Sequence, residues 1–273
     1  MNALLYTDLD GTLLDHANYS PETALPGIRM LEALQIPIVF CSSKTLLEQR
    51  WLQQTLNLNH PFIFETGSAI AIPENYFPKG TYTPDHHIDG FDLITLAHAE
   101  VHALRLVLSG WKGLTDYDNA SMTEAMRATG LSSPEAIHRA KARMYTVTLM
   151  DSLTTEQAQA LEALLRPNGF KLSRGGRFYT ALSAQTDKGA AVLKLTSLYR
   201  RAFPEPFRTF GVGDSLNDLP MFDAVDQAFL VQQPHHKWLD VHVSGLQRIR
   251  GVGPLGWVMA AQALLDMIKE PLE

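Results

Sequence analysis

One cysteine, Cys41, is all that the 273-residue chain carries, so no internal disulfide can form and a reducing compartment suits it. It closes the apolar run Ile36-Pro37-Ile38-Val39-Phe40-Cys41, where a small buried hydrophobe is the expected role. Long apolar runs are missing as well. Asp8 and Asp10 interrupt the first one, no N-terminal signal pattern is visible, and no stretch approaches a membrane span. Basic excess is absent too: the net charge is −6, which argues against a nucleic-acid or anionic-membrane partner. Only 19% of residues are charged and 45% are hydrophobic, so a core can form and global disorder is excluded. There is no internal repeat and no low-complexity segment. A cytoplasmic protein of one large or two modest domains is expected, with monomer and homodimer both open.

What the chain does contain is an alternation of strand and helix signals. The segment Ala3-Leu4-Leu5-Tyr6-Thr7 reads as a buried strand, and Ser20-Pro21-Glu22 as a helix start with proline at the first position. Leu25, Ile28, Leu31 and Leu34 mark one helical face. A second strand ends at Cys41, Ser42-Ser43-Lys44-Thr45 turns into a helix over Leu46–Leu56, and Phe62-Ile63-Phe64 is a third strand. Towards the C-terminus come a helix from about Asp187 to Tyr199, strands at Thr209–Val212 and Phe229–Val231, and a closing helix with Trp257, Ala261, Leu264 and Ile268 on one face. Short connections between such units predict a doubly wound parallel α/β sheet.

The middle breaks this pattern. Two helical patterns and strands at Met144–Met150, Phe170–Ser173 and Phe178–Leu182 lie there, with Gly175-Gly176 as a tight hairpin. The expected division is a catalytic α/β core from residues 1–80 and 183–273, and an inserted α+β domain over 81–182.

Two carboxylate clusters carry the chemistry. Asp8-Leu9-Asp10-Gly11-Thr12 closes the first strand, and Asp8 and Asp10, two residues apart, point the same way from an extended segment. Gly213-Asp214-Ser215-Leu216-Asn217-Asp218 closes a later one. Ligands of open α/β sheets gather beyond the carboxyl ends of the strands, so Asp8, Ser42 and Asp214 converge despite their separation. A carboxylate can attack phosphorus, and a second one can protonate the leaving oxygen and then activate water. Asp8 and Asp214 also supply hard oxygen ligands of the kind Mg²⁺ takes. Lys188, in the first turn of a helix capped by Thr186-Asp187, opposes the helix dipole; beside those carboxylates it reads as a phosphate ligand together with Ser42.

Asp8-Leu9-Asp10-Gly11-Thr12, Ser42, Lys188 and Gly213–Asp218 resemble the four ordered motifs of the haloacid dehalogenase superfamily of phosphotransferases. The insert between Ser42 and Lys188 is similar to the cap of its class IIB members, on a Rossmann-like core. More narrowly, Ser43-Lys44-Thr45, Thr129-Gly130-Leu131-Ser132, Gly175-Gly176-Arg177-Phe178, Lys188-Gly189-Ala190-Ala191-Val192 and Gly253-Pro254-Leu255-Gly256-Trp257 resemble the family of mannosyl-3-phosphoglycerate phosphatases. The resemblance implies a Mg²⁺-dependent phosphatase that works through an aspartyl-phosphate on a small phosphorylated sugar acid, yielding mannosylglycerate, a compatible solute. Asp8 would be nucleophile and metal ligand. Asp10 would be general acid/base and give its backbone carbonyl to the metal. Asp214 would complete the protein ligands, with Asn217 and Asp218 ordering their surroundings. Ser42 and Lys188 would bind the phosphoryl group. Ser43, Lys44, Gly67 and Ser68 would contact substrate, and Arg174 and Arg177 would take the glycerate carboxylate.

Two places depart from the family pattern. Thr66 precedes Gly67 where the family usually has Asn, and Arg143-Met144-Tyr145-Thr146-Val147-Thr148 continues as a smooth strand without the family's acidic residue and proline. Another sugar-phosphate phosphatase, a hexose phosphomutase and a catalytically silent sugar-phosphate sensor are the alternatives. A dehalogenase has no need of Asp10 or the metal site. The glycine pattern Gly251–Gly256 has no following strand and reads as a helix-entry loop. His86-His87 and His235-His236 read as surface histidines, and Thr7 as strand packing.

Overall fold

The computed structural model describes residues 2–111, 113–175 and 178–269. In chain order its elements are β1 (Ala3–Thr7), α1 (Leu25–Ala33), β2 (Ile38–Phe40), α2 (Leu46–Leu56), β3 (Phe62–Phe64), β4 (Ala69–Pro73), β5 (His86–Ile88) and β6 (Phe91–Thr95). There follow α3 (Val101–Leu108), α4 (Met122–Thr129), α5 (Pro134–Lys141), β7 (Val147–Leu149), α6 (Thr155–Leu165), β8 (Phe170–Arg174) and β9 (Tyr179–Ser183). The chain closes with α7 (Lys188–Ala202), β10 (Arg208–Gly213), α8 (Leu219–Asp223), β11 (Gln227–Gln232), β12 (Gln247–Val252) and α9 (Pro254–Ile268).

Five parallel strands run in the order β12-β11-β10-β1-β2. β1 is buried on both faces at every residue, which is why it reads as a continuous apolar run rather than an alternation. Helices cover both sides. Ile28 and Leu31 of α1 and Trp257, Ala261 and Leu264 of α9 pack on one face, and Val192, Leu195 and Met221 from α7 and α8 pack on the other. This is the doubly wound α/β core. The Gly251–Gly256 segment leads from β12 into α9, with Gly253 as the N-cap. Among the described residues no helix is long and apolar enough to cross a membrane.

Beside β2, the bridge Cys41–Ile63 joins β3 to the sheet's edge, and β3, β4, β6 and β5 continue as an antiparallel sheet. The hairpin β5–β6 falls within residues 81–182, yet its ladder is made to β4. The segment with a sheet of its own therefore starts beyond Thr95. That sheet is antiparallel, β7-β9-β8, backed by α3 and α6 around Leu104, Leu161, Leu165 and Phe170.

Two sequence expectations are corrected here. Among the described residues the middle holds four α-helices rather than two, because α4 and α5 are short amphipathic elements of eight residues each, started by the caps Ser121 and Ser133. The stretch Met144–Met150 is not one strand; its ladder begins only at Val147. The backbone N–H groups of Met144, Tyr145 and Thr146 are instead donated to the carboxylate of Glu65.

Candidate active site

The chain ends of β1, β2 and β10 bring the first residues together. Asp8 follows β1, and its N–H donates to the Val212 carbonyl on β10 (2.9 Å). The Thr7 hydroxyl donates to the Asp8 carbonyl and accepts the Trp257 indole N–H (2.9 Å). Thr7 is thus packing, and it pins the backbone from which Asp8 projects. Ser42 lies two residues beyond β2, buried, with its hydroxyl accepting from the Lys44 N–H (3.3 Å). The Thr66 N–H donates to Ser42 and the Glu65 N–H to Lys44, both at 3.0 Å, so the loops after β2 and β3 are tied backbone to backbone.

Lys188 opens α7, whose N-cap Asp187 accepts from the Ala190 N–H. Its ammonium is wholly buried and touches Asp8 Oδ1 and Asp218 Oδ1, each at 2.6 Å. Gly67 explains how this helix start comes so close. At φ +88°, a Cβ there would sit 2.0 Å from the Asp187 carbonyl oxygen, so only glycine permits the approach. Burial alone would lower the Lys188 pKa, but Asp218 and Asp8 hold it above the ordinary ammonium value.

Asp218 is fully buried and fully engaged. Its Oδ1 takes Lys188, while its Oδ2 accepts the N–H groups of Asp214 and Ser215, both at 3.0 Å. It shapes the loop that carries Asp214, whose carbonyl also accepts from the Gln233 amide (2.9 Å). The carboxylates of Asp8, Asp214 and Asp218 lie within 4.8 Å of one another. Burial, with Asp218 adding to it against Lys188, pushes Asp8 up to about 7. Burial and the neighbouring carboxylates hold Asp214 well above the usual range. One lysine does not neutralise three buried acids. A hard divalent cation fits this donor set, held by Asp8 and Asp214, because Asp218 already has partners on both oxygens.

Asp10 faces a cavity beside these groups, and its Oδ1 pairs with Lys44 Nζ (3.0 Å). Lys44 also meets Glu48 (3.5 Å) and lies over the Tyr19 ring. Burial lowers its pKa, but Asp10 and Glu48 raise it further, so Lys44 stays charged. Glu48 was not foreseen, although Thr45-x-x-Glu48 is a readable capping box and forms one at the start of α2.

The far wall of the cavity comes from the inserted segment: Arg143, Thr148, Ser173 and Thr180 all line it, opposite Asp8, Asp10, Ser43, Lys44, Thr66, Asp214 and Asn217. Arg143 donates to the Ser43 carbonyl (3.0 Å) and to the Thr146 hydroxyl (3.1 Å). Thr45 donates to the Arg139 carbonyl (2.7 Å), Tyr19 to the Thr129 carbonyl (3.0 Å), and Arg139 covers the Trp51 ring. The insert is therefore seated on the core over the carboxylates.

Not every sequence candidate faces this space. Gly67 acts by packing, as above, and Ser68 is wholly buried with its hydroxyl donated to the Glu65 carbonyl (2.7 Å). Arg174, exposed at the end of β8, lies over the Tyr179 ring and does not line the cavity. Arg177 and Gly176 of the expected hairpin lie outside the described residues; the strands flanking them pair through Arg174 and Tyr179. Glu65 and Arg143 are the residues that sequence reasoning missed. Their partners are backbone groups some 80 to 100 positions away in sequence, which leave no local signal.

A parallel α/β sheet with paired carboxylates at its carboxyl edge, a buried lysine between them and an antiparallel insert above defines a class. The chain belongs to the haloacid dehalogenase-like hydrolases, whose family profile matches residues 5–240. Within the family it is 35% identical to a glucosyl-3-phosphoglycerate/mannosyl-3-phosphoglycerate phosphatase of Methanococcoides burtonii, over 98% of both chains. It is 37% identical to a mannosyl-3-phosphoglycerate phosphatase of Pyrococcus furiosus, over 87% of this chain and 94% of that one. Among solved structures, the sucrose-phosphatase of a Synechocystis species, in complex with sucrose and phosphate, shares the fold at a TM-score of 0.63 and 16% identity, covering 98% of this chain and 99% of that one.

Proposed function

We propose that the protein is a phosphatase that removes the phosphoryl group from a glycosyl-3-phosphoglycerate, with mannosyl-3-phosphoglycerate as the leading substrate. The observation that carries this is Lys188 buried between Asp8 and Asp218, where Asp8 lines a cavity that Asp10 and Arg143 line as well. Asp8 is the nucleophile: its oxygen bonds to phosphorus as the bond to the glycerate oxygen breaks, giving an aspartyl-phosphate. Asp10 protonates that leaving oxygen, then takes a proton from the water that attacks phosphorus and releases phosphate from Asp8. Lys188 and Ser42 hold the transferring group. Mg²⁺, carried by Asp8, Asp214 and the backbone carbonyl of Asp10, would supply charge neutralisation between the anionic nucleophile and the anionic phosphate.

Among the described residues, Arg143 suits the glycerate carboxylate, the role for which the family resemblance offers Arg174 and Arg177. It is bound to Ser43, next to Ser42, so its planar guanidinium stands where a carboxylate close to the phosphate would lie. Mutual support comes from relatives named for glucosyl- and mannosyl-3-phosphoglycerate at 30% and 35% identity.

The test is phosphate release with Mg²⁺ on mannosyl- and glucosyl-3-phosphoglycerate, mannose and glucose phosphates, sucrose phosphate and an aryl phosphate. A preference for the first two is expected, with roughly 10⁴-fold or greater loss in Asp8→Asn. Indifference to both, with turnover of the others, reassigns the substrate. Retained activity in Asp8→Asn removes the covalent route.

A further inference from the structure

On the inserted sheet, Thr148 of β7 is the register partner of Thr180 on β9, and Thr180 is the partner of Ser173 on β8. The three residues form one row across all three strands and line the cavity. The alternate positions Val147, Leu149, Ala181 and Leu172 turn the other way into the apolar layer beneath α3 and α6. A cavity wall of three consecutive hydroxyl residues is not needed to bury the sheet, since the opposite face does that. Thr148 is 6% exposed, and its buried hydroxyl oxygen has no hydrogen-bond partner among the described residues. An unsatisfied buried hydroxyl is costly and calls for a partner. Arg143, at the same wall, also has a buried Nε without one among the described residues.

We propose that the row Thr148–Thr180–Ser173 is the subsite that reads the glycosyl group of the substrate. This rests on the phosphatase reading above and adds to it the residues that choose the leaving group. The phosphate end of the cavity carries fixed charges from Asp8, Asp10, Lys44 and Asp214. The row carries none, so an uncharged polyhydroxylated ring matches it and a second phosphate or a greasy group does not. Each hydroxyl rotates and can donate or accept. The row therefore reads polyhydroxyl character and tolerates a change of epimer.

The experiment compares Thr148→Val, Thr180→Val and Thr148→Ser with the wild type. Valine keeps the branched shape and strand preference of threonine, and serine keeps the hydroxyl. Substrates are mannosyl- and glucosyl-3-phosphoglycerate, the sugar phosphates of the panel, 3-phosphoglycerate without sugar, and an aryl phosphate. Both valine variants are expected to lose at least about tenfold in kcat/KM on the preferred sugar-bearing substrate, and less than about twofold on the two sugar-free ones. Thr148→Ser should retain most of the sugar-bearing rate. Equal losses on all substrates, or none on the sugar-bearing one, overturn the row. If the wild type prefers a different sugar phosphate, the phosphoglycerate reading falls while the row is tested on that sugar. Turnover of sugar-free phosphates alone overturns the row. Calorimetric binding of mannosylglycerate, which carries no phosphate, gives a readout independent of turnover. Weaker binding by Thr148→Val than by wild type is expected, and equal affinity, or no binding to wild type, overturns the proposal.

Discussion

The two walls of the cavity are built on opposite principles. On the core side the charged groups are fixed in place before any substrate arrives. Lys188 contacts two carboxylates at 2.6 Å, and Asp218 has both oxygens engaged. Among the described residues, the lining on the inserted side is uncharged apart from Arg143, and Thr148 has a hydroxyl without a partner. A phosphoryl group is the same in every substrate, so its site can be pre-organised at low reorganisation cost. A leaving group varies, and rotatable hydroxyls accept variation. The difference fits the proposed division, in which the reaction belongs to the sheet edge and the choice of substrate to the insert.

The strongest way to break that comparison is Lys188→Met. It leaves Asp8 and Asp218 buried without their counter-cation, so a destabilisation of about 3 kcal/mol is expected, read by denaturant melts. Turnover should collapse by a similar factor on sugar-bearing and sugar-free phosphates. A loss confined to sugar-bearing substrates would place Lys188 on the wrong side of the comparison.

Glu65→Gln acts between the walls. Glu65 follows β3 on the core, and its carboxylate accepts the N–H groups of Met144, Tyr145 and Thr146 and the Thr146 hydroxyl at 2.7 to 3.0 Å. An amide has one acceptor oxygen and turns its NH₂ towards donors, so a cost of about 2 kcal/mol is expected. This segment lies between Arg143 and Thr148, and so KM for sugar-bearing substrates should rise more than KM for an aryl phosphate. Equal KM changes would mean that Glu65 serves stability alone.

On the proposed reading, metal and proton compete for the core wall. Burial lifts Asp8 to about 7, above its unfolded value, so the folded state binds the extra proton. The stability this group contributes is therefore full at acid pH and lost as pH climbs through about 7. Mg²⁺ needs the deprotonated form, so it should raise Tm more at about pH 8 than at about pH 5.5. Calorimetry at both values, with and without Mg²⁺, checks the sign; a larger shift at the acid value would remove Asp8 from the metal.

Legibility in the sequence follows the range of the interaction. Asp8, Asp10, Lys188 and Asp214 were legible because each sits in a local run whose strand end or helix start sets its direction. The capped start of α7 and the apolar strands were legible for the same reason. The seating of the insert was not. Arg143–Thr148 alternates like a strand, yet the backbone of Met144–Thr146 is captured by a carboxylate about 80 residues earlier. Gly67 looked like a substrate contact, and only the approach of Asp187 reveals it as a packing position. Arg174 looked like a carboxylate ligand because it is charged and near a hairpin, but the pleat sends it to the exposed side of β8 from its neighbour Ser173.

The gentlest probe of the comparison is Thr66→Asn. Thr66 belongs to the core wall and lines the cavity, but its backbone lies in the left-handed region at φ +59°, next to Glu65 at +48° and Gly67 at +88°. A β-branched residue is disfavoured there, whereas Asn tolerates it. Relief of that strain should stabilise the protein by about 1 kcal/mol, read as a rise in Tm. If the core wall is indifferent to the leaving group, kcat/KM should shift by a similar small factor for mannosyl-3-phosphoglycerate and for the aryl phosphate. A change that favours one of them by tenfold would make Thr66 a reader of the substrate, and the division between a reacting wall and a choosing wall would have to move to include it.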